Sequence, residues 1–216
     1  MKLKVCGLNN ANNIKEITKF NPDFVGFIFY PGSKRFILDH CLNPEMIKEI
    51  PPNIKKVGVF VDASIDEIIK FYYDFDLDYV QLHGNETPAF CAKLFLKQIP
   101  VIKTFRLDKD FDFEQLEAYL PFCNYFLFDT KGKLPGGNGV KFSWPVLKSY
   151  TLRLPFFLSG GIGPDDINDI QSFNHEMLYA IDVNSKFELS PGIKDIKKVQ
   201  NFKNQLNQLS YENTSR

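Results

Sequence analysis

Residues 156–185 read FFLSGGIGPDDINDIQSFNHEMLYAIDVNS, and this stretch decides the fold. It opens on an apolar run, Phe156–Ser159, that does not alternate polar with apolar, as a strand buried on both faces reads. Gly160 and Gly161 follow, and then Pro164, tolerated in the first turn of a helix because the N–H it lacks would have no partner there. A second apolar run, Leu178–Val183, closes the stretch. Strand, helix and strand in close succession imply two parallel strands joined by a crossover helix.

Working outward, the same unit recurs toward the N-terminus. Further strand-like runs are Leu3–Cys6, Phe24–Phe29, Lys56–Val61, Tyr79–His83, Val101–Phe105 and Tyr125–Asp129. Helical spacing fills the gaps. Ile14, Ile17 and Phe20 mark one face, and Ile65, Ile68, Ile69 and Tyr72 another, with Ser64 as N-cap and Glu67 three residues on. Pro88 and Pro145 mark two more helix starts. The stretch from Ile193 to Leu209 reads as a closing helix and Tyr211–Arg216 as a frayed tail. Eight such units in 216 residues predict a single closed (β/α)8 TIM barrel of eight parallel strands over residues 1–216. An open doubly wound sheet is the alternative that the pattern leaves.

Composition fits a filled core: 44% of residues are hydrophobic, and 22 Phe predict that much of the packing is aromatic. Lys and Arg, 26 together, balance 26 Asp and Glu, which leaves no electrostatic footprint for nucleic acid or an anionic membrane. A small anionic ligand needs only a few local donors. No apolar run approaches the roughly 18 residues of a membrane span, and Met1–Gly7 is interrupted too soon for a signal peptide. Cys6, Cys41, Cys91 and Cys123 show no close pair and no metal-ligand spacing, and read as reduced thiols of a cytoplasmic protein.

In such a barrel the chemistry lies at the C-terminal ends of the strands. Those ends carry Cys6-Gly7, the loop Tyr30–Arg35, Asp62, Gln81 with His83, Arg106, Asp129, Ser159-Gly160-Gly161, and Asp182-Val183-Asn184-Ser185. Gly160 and Gly161 after strand seven, with Asn184 and Ser185 after strand eight, stand where barrels bind phosphate through backbone N–H groups. By itself a Gly-Gly pair is also an ordinary tight turn. The loop 130–142 holds Gly132, Pro135, Gly136, Gly137 and Gly139, and its length reads as a lid, an anion-contacting turn or a surface excursion. On residue type alone, Cys6 reads first as a small buried hydrophobe, and Asp129 equally as a helix cap or ion-pair partner. Of His40, His83 and His175 only His83 sits at a strand end, which argues against a metal site.

Taken in order, these segments resemble the phosphoribosylanthranilate isomerase family. The resemblance rests on Lys4-Val5-Cys6-Gly7-Leu8, Val25–Phe29 with Ser33-Lys34-Arg35-Phe36, Val57–Val61, and Val80-Gln81-Leu82-His83-Gly84-Asn85-Glu86. It continues through Phe128-Asp129, Gly136-Gly137-Asn138-Gly139, Leu158–Ile162 with Pro164, and Ile181–Ser185 with Glu188, Pro191-Gly192 and Lys194-Asp195, spanning residues 3 to about 198. It implies a cofactor-free, metal-free isomerase of tryptophan biosynthesis that performs an Amadori rearrangement. An acid protonates the sugar ring oxygen to open a Schiff base, and a base then removes the C2 proton to give an enolamine that becomes the ketone. The resemblance assigns the base to Cys6 and the acid to Asp129. It assigns the anthranilate carboxylate to Arg35, substrate positioning to Asp182, and further substrate contacts to Gly137, Gly160, Gly161, Asn184 and Ser185.

These roles make demands. A thiol, with a reference pKa of about 8.5, must be partly ionised to act as a base, and Asp129 must hold a proton above the reference of about 3.9. The implied partner is the phosphosugar anthranilate alone, in a monomer or homodimer, with Phe71, Tyr72 and Tyr73 either on a dimer face or packed on the barrel. Asn184 and Lys186 stand where the family more often has serine and glycine, Asn138 where it has threonine, and Gly32 and Lys34 where it has lysine and proline. Rival readings are a histidine-pathway isomerase, which expects aspartate where Cys6 stands; indole-glycerol-phosphate synthase, whose lysine and glutamate are missing from the strand ends; and an inactive phosphate-binding barrel.

Overall fold

The computed structural model describes residues 1–40, 42–130 and 144–214. Its core is a closed barrel of parallel strands in the order β1 (Lys2–Val5), β2 (Phe24–Ile28), β3 (Lys55–Phe60), β4 (Tyr79–Leu82), β5 (Val101–Leu107), β6 (Tyr125–Thr130), β7 (Phe156–Leu158) and β8 (Leu178–Val183). β8 pairs back onto β1, with Lys4 level with Asp182 and Val5 with Val183. Every expected strand is present, and closure excludes the open sheet.

The connections differ from the expectation of one helix per unit. α-Helices form at α1 (Ala11–Thr18), α2 (Pro44–Lys48), α3 (Ile65–Asp74), α4 (Pro88–Leu96) and α5 (Ile167–Ser172). Ser64 caps α3 and Pro88 opens α4 as the sequence suggested: Ser64 Oγ accepts the Glu67 N–H at 3.2 Å, and Pro88 lies in the first turn of α4, whose N-cap the structure shows to be Thr87. Glu114–Phe122 and Trp144–Ser149 are 3-10 helices instead. Pro121 lies inside the first, where its missing N–H breaks an α-helical ladder, while Pro145 stands in the first turn of the second, where an N–H would have no partner. The closing segment begins with a small antiparallel ribbon, β9 (Glu188–Ser190) and β10 (Ile193–Lys194). α6 then runs Ile196–Thr214, so helix begins later than Ile193 and continues past Tyr211, where fraying was expected to begin.

Inside the barrel, alternation sorts the strand residues into layers. Phe24, Val57, Ile102, Leu127, Phe157 and Ala180 form a dry floor, flanked by Tyr79, Tyr125 and Tyr179. Phe24 meets Phe157 edge-on at 5.0 Å, and Tyr125 stacks on Tyr179 at 4.8 Å. The Phe-rich composition thus closes one end of the barrel with rings in favoured geometries. One step up the strands the buried side chains turn polar: Lys4, Gln81, Thr104 and Asp182. Phe71 stacks on Phe29 at 4.8 Å and Tyr72 packs partly buried, which leaves Tyr73 as the exposed member of that trio.

The cysteines also depart from expectation. The sequence shows no close pair, yet the fold brings Cys91 and Cys123 into thiol–thiol hydrogen-bond contact, both buried and unbridged. Cys41 lies outside the described residues. No helix among the described residues is long and apolar enough to cross a membrane.

Candidate active site

At the C-terminal end of the barrel, opposite the aromatic floor, lies a cleft of about 810 Å³ that is open to solvent. It is lined by Cys6, Arg35, Asp129, Gly160, Gly161, Asp182, Asn184 and Ser185, so eight of the nine residues named as candidates face one space. Gly137, the ninth, lies outside the described residues.

Cys6 follows directly on β1, its N–H donating to the Val183 carbonyl at 2.9 Å. Gly26 on β2 stands behind it; a Cβ there would come within 2.7 Å of the Cys6 sulfur. Burial pushes the Cys6 thiol up, and although the Lys4 ammonium acts against it, the thiol stays above its ordinary value. Lys4 is fully buried two residues earlier on the same strand face, its Nζ donating to Asp182 Oδ1 at 2.9 Å. Burial acts to lower the Lys4 ammonium, and attraction to Asp182 and Cys6 more than offsets it, leaving Lys4 above its ordinary value. Asp182 is held from its other side by the Ser159 hydroxyl, which donates to Oδ2 at 3.2 Å.

Arg35 is brought to the cleft by a turn in which the Ser33 N–H donates to the Tyr30 carbonyl and the Arg35 N–H donates to Ser33 Oγ at 3.1 Å. Gly7, at φ +74°, is needed beneath it, because a Cβ would strike both Arg35 Cδ and Asn184 Oδ1. The guanidinium meets Glu188, Nε at 2.8 Å and Nη2 at 2.6 Å. Glu188 Oε1 also accepts from Lys194 Nζ at 2.7 Å and from the Gly192 N–H at 3.0 Å. Burial alone would raise the Glu188 carboxyl, and Arg35 and then Lys194 bring it below the ordinary range. Burial lowers Lys194 to about 8 despite Glu188.

On the opposite wall Asp129 is the penultimate residue of β6, and His83 Nε2 lies 3.3 Å from its Oδ2. Gln81 Nε2 donates to His83 Nδ1 at 3.0 Å and to Thr104 Oγ1 at 3.2 Å, so the neutral ring carries its proton on Nε2, toward Asp129. Past β7, Gly160 and Gly161 take φ of +93° and +70°, and Asn184 precedes a 3-10 turn at Ser185–Phe187. Left-handed glycines and a helical turn converge there on the side of the cleft suited to an anion.

Asp62 and Arg106, two strand-end residues that the resemblance gave no role, fall elsewhere. Asp62 accepts the Asn85 N–H at 2.6 Å and pins the loop after β4. Arg106 lines a neighbouring cavity and reaches the His83 carbonyl only at 3.4 Å. Sequence reasoning missed Lys4, Glu188 and Lys194 as members of the site. The available signal for Lys4 was a charge at the position two before Cys6, on the same inward strand face. Glu188 and Lys194 carry no local signal, because the β9–β10 ribbon alone folds them back over the cleft.

Residues 3–205 match the family model described as N-(5'phosphoribosyl)anthranilate (PRA) isomerase. The chain is 41% identical over 209 residues to an N-(5'-phosphoribosyl)anthranilate isomerase of Parabacteroides distasonis, covering 95% of this chain and 93% of that one. Among solved structures it is similar to the phosphoribosyl anthranilate isomerase of Thermotoga maritima, with a TM-score of 0.82, 31% identity, and coverage of 96% and 99%. It is likewise similar to a phosphoribosyl anthranilate isomerase in complex with reduced 1-(o-carboxyphenylamino)-1-deoxyribulose 5-phosphate, at a TM-score of 0.80 and 30% identity, covering 96% and 99%.

Proposed function

The chain belongs to the N-(5'-phosphoribosyl)anthranilate isomerase family, and on that premise we propose that Cys6 and Asp129 are the general base and general acid of its reaction. The reaction is the Amadori rearrangement of N-(5'-phosphoribosyl)anthranilate to the corresponding aminodeoxyribulose phosphate, a step of tryptophan biosynthesis. The observation that carries the assignment is the cleft itself. A thiol, a carboxyl beside an imidazole, a guanidinium and a glycine turn with positive φ all line one space at the active end of the barrel.

In this reading Asp129 gives its proton to the furanose ring oxygen, the C1–O bond breaks, and the nitrogen lone pair forms the C1=N bond. Cys6, as thiolate, then takes the C2 proton, the C–H electron pair becomes the C1=C2 bond, and the C1=N π pair returns to nitrogen to give the enolamine. Arg35 holds the anthranilate carboxylate, for which a planar guanidinium supplies paired donors. Gly160, Gly161, Asn184 and Ser185 hold the phosphate through N–H and hydroxyl donors, Asp182 orients the sugar, and Gly137 adds a contact from the glycine-rich loop.

The test is to mix purified protein with freshly prepared phosphoribosylanthranilate and follow loss of its fluorescence in wild type, Cys6→Ser and Asp129→Asn. Turnover by wild type that is lost in both folded variants supports both roles. Turnover that survives in one variant removes that residue from its role.

A further inference from the structure

We propose that Lys194 is a positioning residue for substrate binding: its ammonium holds the carbonyl of the Asn184 side-chain amide, so that Asn184 meets the ligand with N–H donors. The inference rests on the reading of Asn184 as a phosphate contact and says which end of the amide makes that contact.

Lys194 is fully buried on β10, and its backbone is pinned from behind by α1. Asn13 Oδ1 accepts the Lys194 N–H at 2.8 Å, and Asn13 Nδ2 donates to the Lys194 carbonyl at 2.9 Å. The ammonium meets three acceptors: Asn184 Oδ1 at 2.6 Å, Glu188 Oε1 at 2.7 Å and the Asn184 carbonyl at 3.4 Å. An ammonium has three protons to give, so these contacts leave none for a ligand, and Lys194 can act only through its neighbours.

An ammonium donates and never accepts. The amide atom that faces Lys194 is therefore the oxygen, and Nδ2 is the end left over. The reverse orientation would set N–H groups against an ammonium in a buried place, with no acceptor for either. Among the described residues Nδ2 finds no acceptor, and Asn184 is partly exposed and lines the cleft. Gly7 makes room for the planar group, since a Cβ there would come within 2.8 Å of Asn184 Oδ1 and 3.2 Å of Nδ2. Charge favours the same ligand: Glu188 accepts from both Lys194 and Arg35, so two cations share one carboxylate beside the amide, and the excess is positive. The resemblance places serine more often at this position. A hydroxyl can donate whichever way it turns, whereas an amide has a wrong way round, and Lys194 excludes it.

The experiment uses the full chain. KM and kcat for phosphoribosylanthranilate, with thermal melts, are measured in Asn184→Ala, Lys194→Met, the double variant and Asn184→Asp. Asn184→Ala and Lys194→Met are each expected to raise KM roughly tenfold or more, the loss of one hydrogen bond to a charged group, with a smaller change in kcat. The two should not add: in the Lys194→Met background, Asn184→Ala is expected to raise KM by less than about threefold. A merely structural Lys194 lowers the melting temperature but leaves the Asn184→Ala factor the same in both backgrounds, and that result overturns the proposal. An unchanged KM in folded Lys194→Met overturns it as well. If Lys194→Met does not fold, Asn184→Asp decides. Lys194 can still hold one carboxylate oxygen there, so the melt is expected to stay near wild type, but an acceptor replaces the donor in the cleft and KM should rise further than in Asn184→Ala. A KM for Asn184→Asp at or below that of wild type overturns the proposal. Failure of the underlying reading looks different: an unchanged KM in Asn184→Ala takes Asn184 out of the phosphate site, and the proposal falls with it.

Discussion

Arg35 and Glu188 face each other through two parallel hydrogen bonds, 2.8 and 2.6 Å long, at the rim of the cleft. Glu188 is itself held by Lys194 and the Gly192 N–H, so it fixes the plane of the guanidinium before any ligand arrives. A preset fork is worth more to a carboxylate ligand than a floppy charge. Arg35→Lys keeps the charge and loses the fork. Its KM for phosphoribosylanthranilate is expected to rise roughly ten- to hundredfold, the effect of losing a charged hydrogen bond of about 1.5–3 kcal/mol, with a smaller fall in kcat. Steady-state kinetics decides it; an unchanged KM takes the carboxylate anchor away from Arg35.

His83 touches the reaction through Asp129. With its proton on Nε2, 3.3 Å from Asp129 Oδ2, the imidazole interacts better with the carboxylate left after proton transfer than with the acid before it. An interaction that strengthens along the reaction lowers the barrier without tightening substrate binding. His83→Ala should therefore lower kcat by roughly ten- to a hundredfold, within the usual range for a charge-stabilising donor, and leave KM nearly unchanged. Equal changes in both constants would count against this role.

How much of this was legible in the sequence follows from the range of the forces involved. The eight strands, the cap at Ser64 and the helix start at Pro88 are set by neighbours a few residues apart, so local pattern finds them. The 3-10 segment Glu114–Phe122 follows from the N–H that Pro121 lacks, but the segment Trp144–Ser149 does not, since Pro145 stands in its first turn. The candidate residues at the strand ends were legible because alternation and strand polarity put them at one end of the barrel. The cluster of Arg35, Glu188 and Lys194 was not, because it depends on closing a ribbon over the cleft across 153 positions of sequence. The contact of Cys91 with Cys123 was hidden for the same reason.

Acid should destabilise the fold through two named carboxylates. Burial opposes the ionised form of both Asp23 and Glu188. In Asp23 the bonds from Lys203, the Leu3 N–H and Lys2 outweigh it; in Glu188 those from Arg35 and Lys194 do, so both are lowered in the folded state. A carboxyl lowered on folding adds stability above its unfolded value, and that stability is lost as pH falls through the folded value. The urea midpoint is expected to hold near neutrality and to drop below about pH 4.5, and the drop should be shallower in Glu188→Gln, which starts less stable. Parallel curves for the two proteins would show that Glu188 does not carry the acid sensitivity.

Gly26 tests whether the position of the thiol matters as much as its presence. A Cβ at residue 26 would lie 2.7 Å from the Cys6 sulfur and 3.1 Å from its Cα. Neither strand can step aside easily. Lys4 is level with Phe24 and Val5 with Val25, and the Gly26 carbonyl accepts from the N–H groups of both Gly7 and Leu8 at 2.9 and 3.1 Å. The added methyl must therefore push the sulfur toward the cleft or strain β1, at a cost of about 1–3 kcal/mol for overpacking. Gly163→Ala is the matched control, since a Cβ there meets nothing closer than 3.7 Å and its φ of −120° suits any residue. Gly26→Ala should lose roughly a hundredfold or more in kcat, because a displacement near 1 Å of a reacting group is enough for that. Thermal melts of both variants separate the two effects: a folded Gly26→Ala protein that turns over at the wild-type rate would mean that the sulfur does not need the place the fold gives it, and Cys6 could not then be the base.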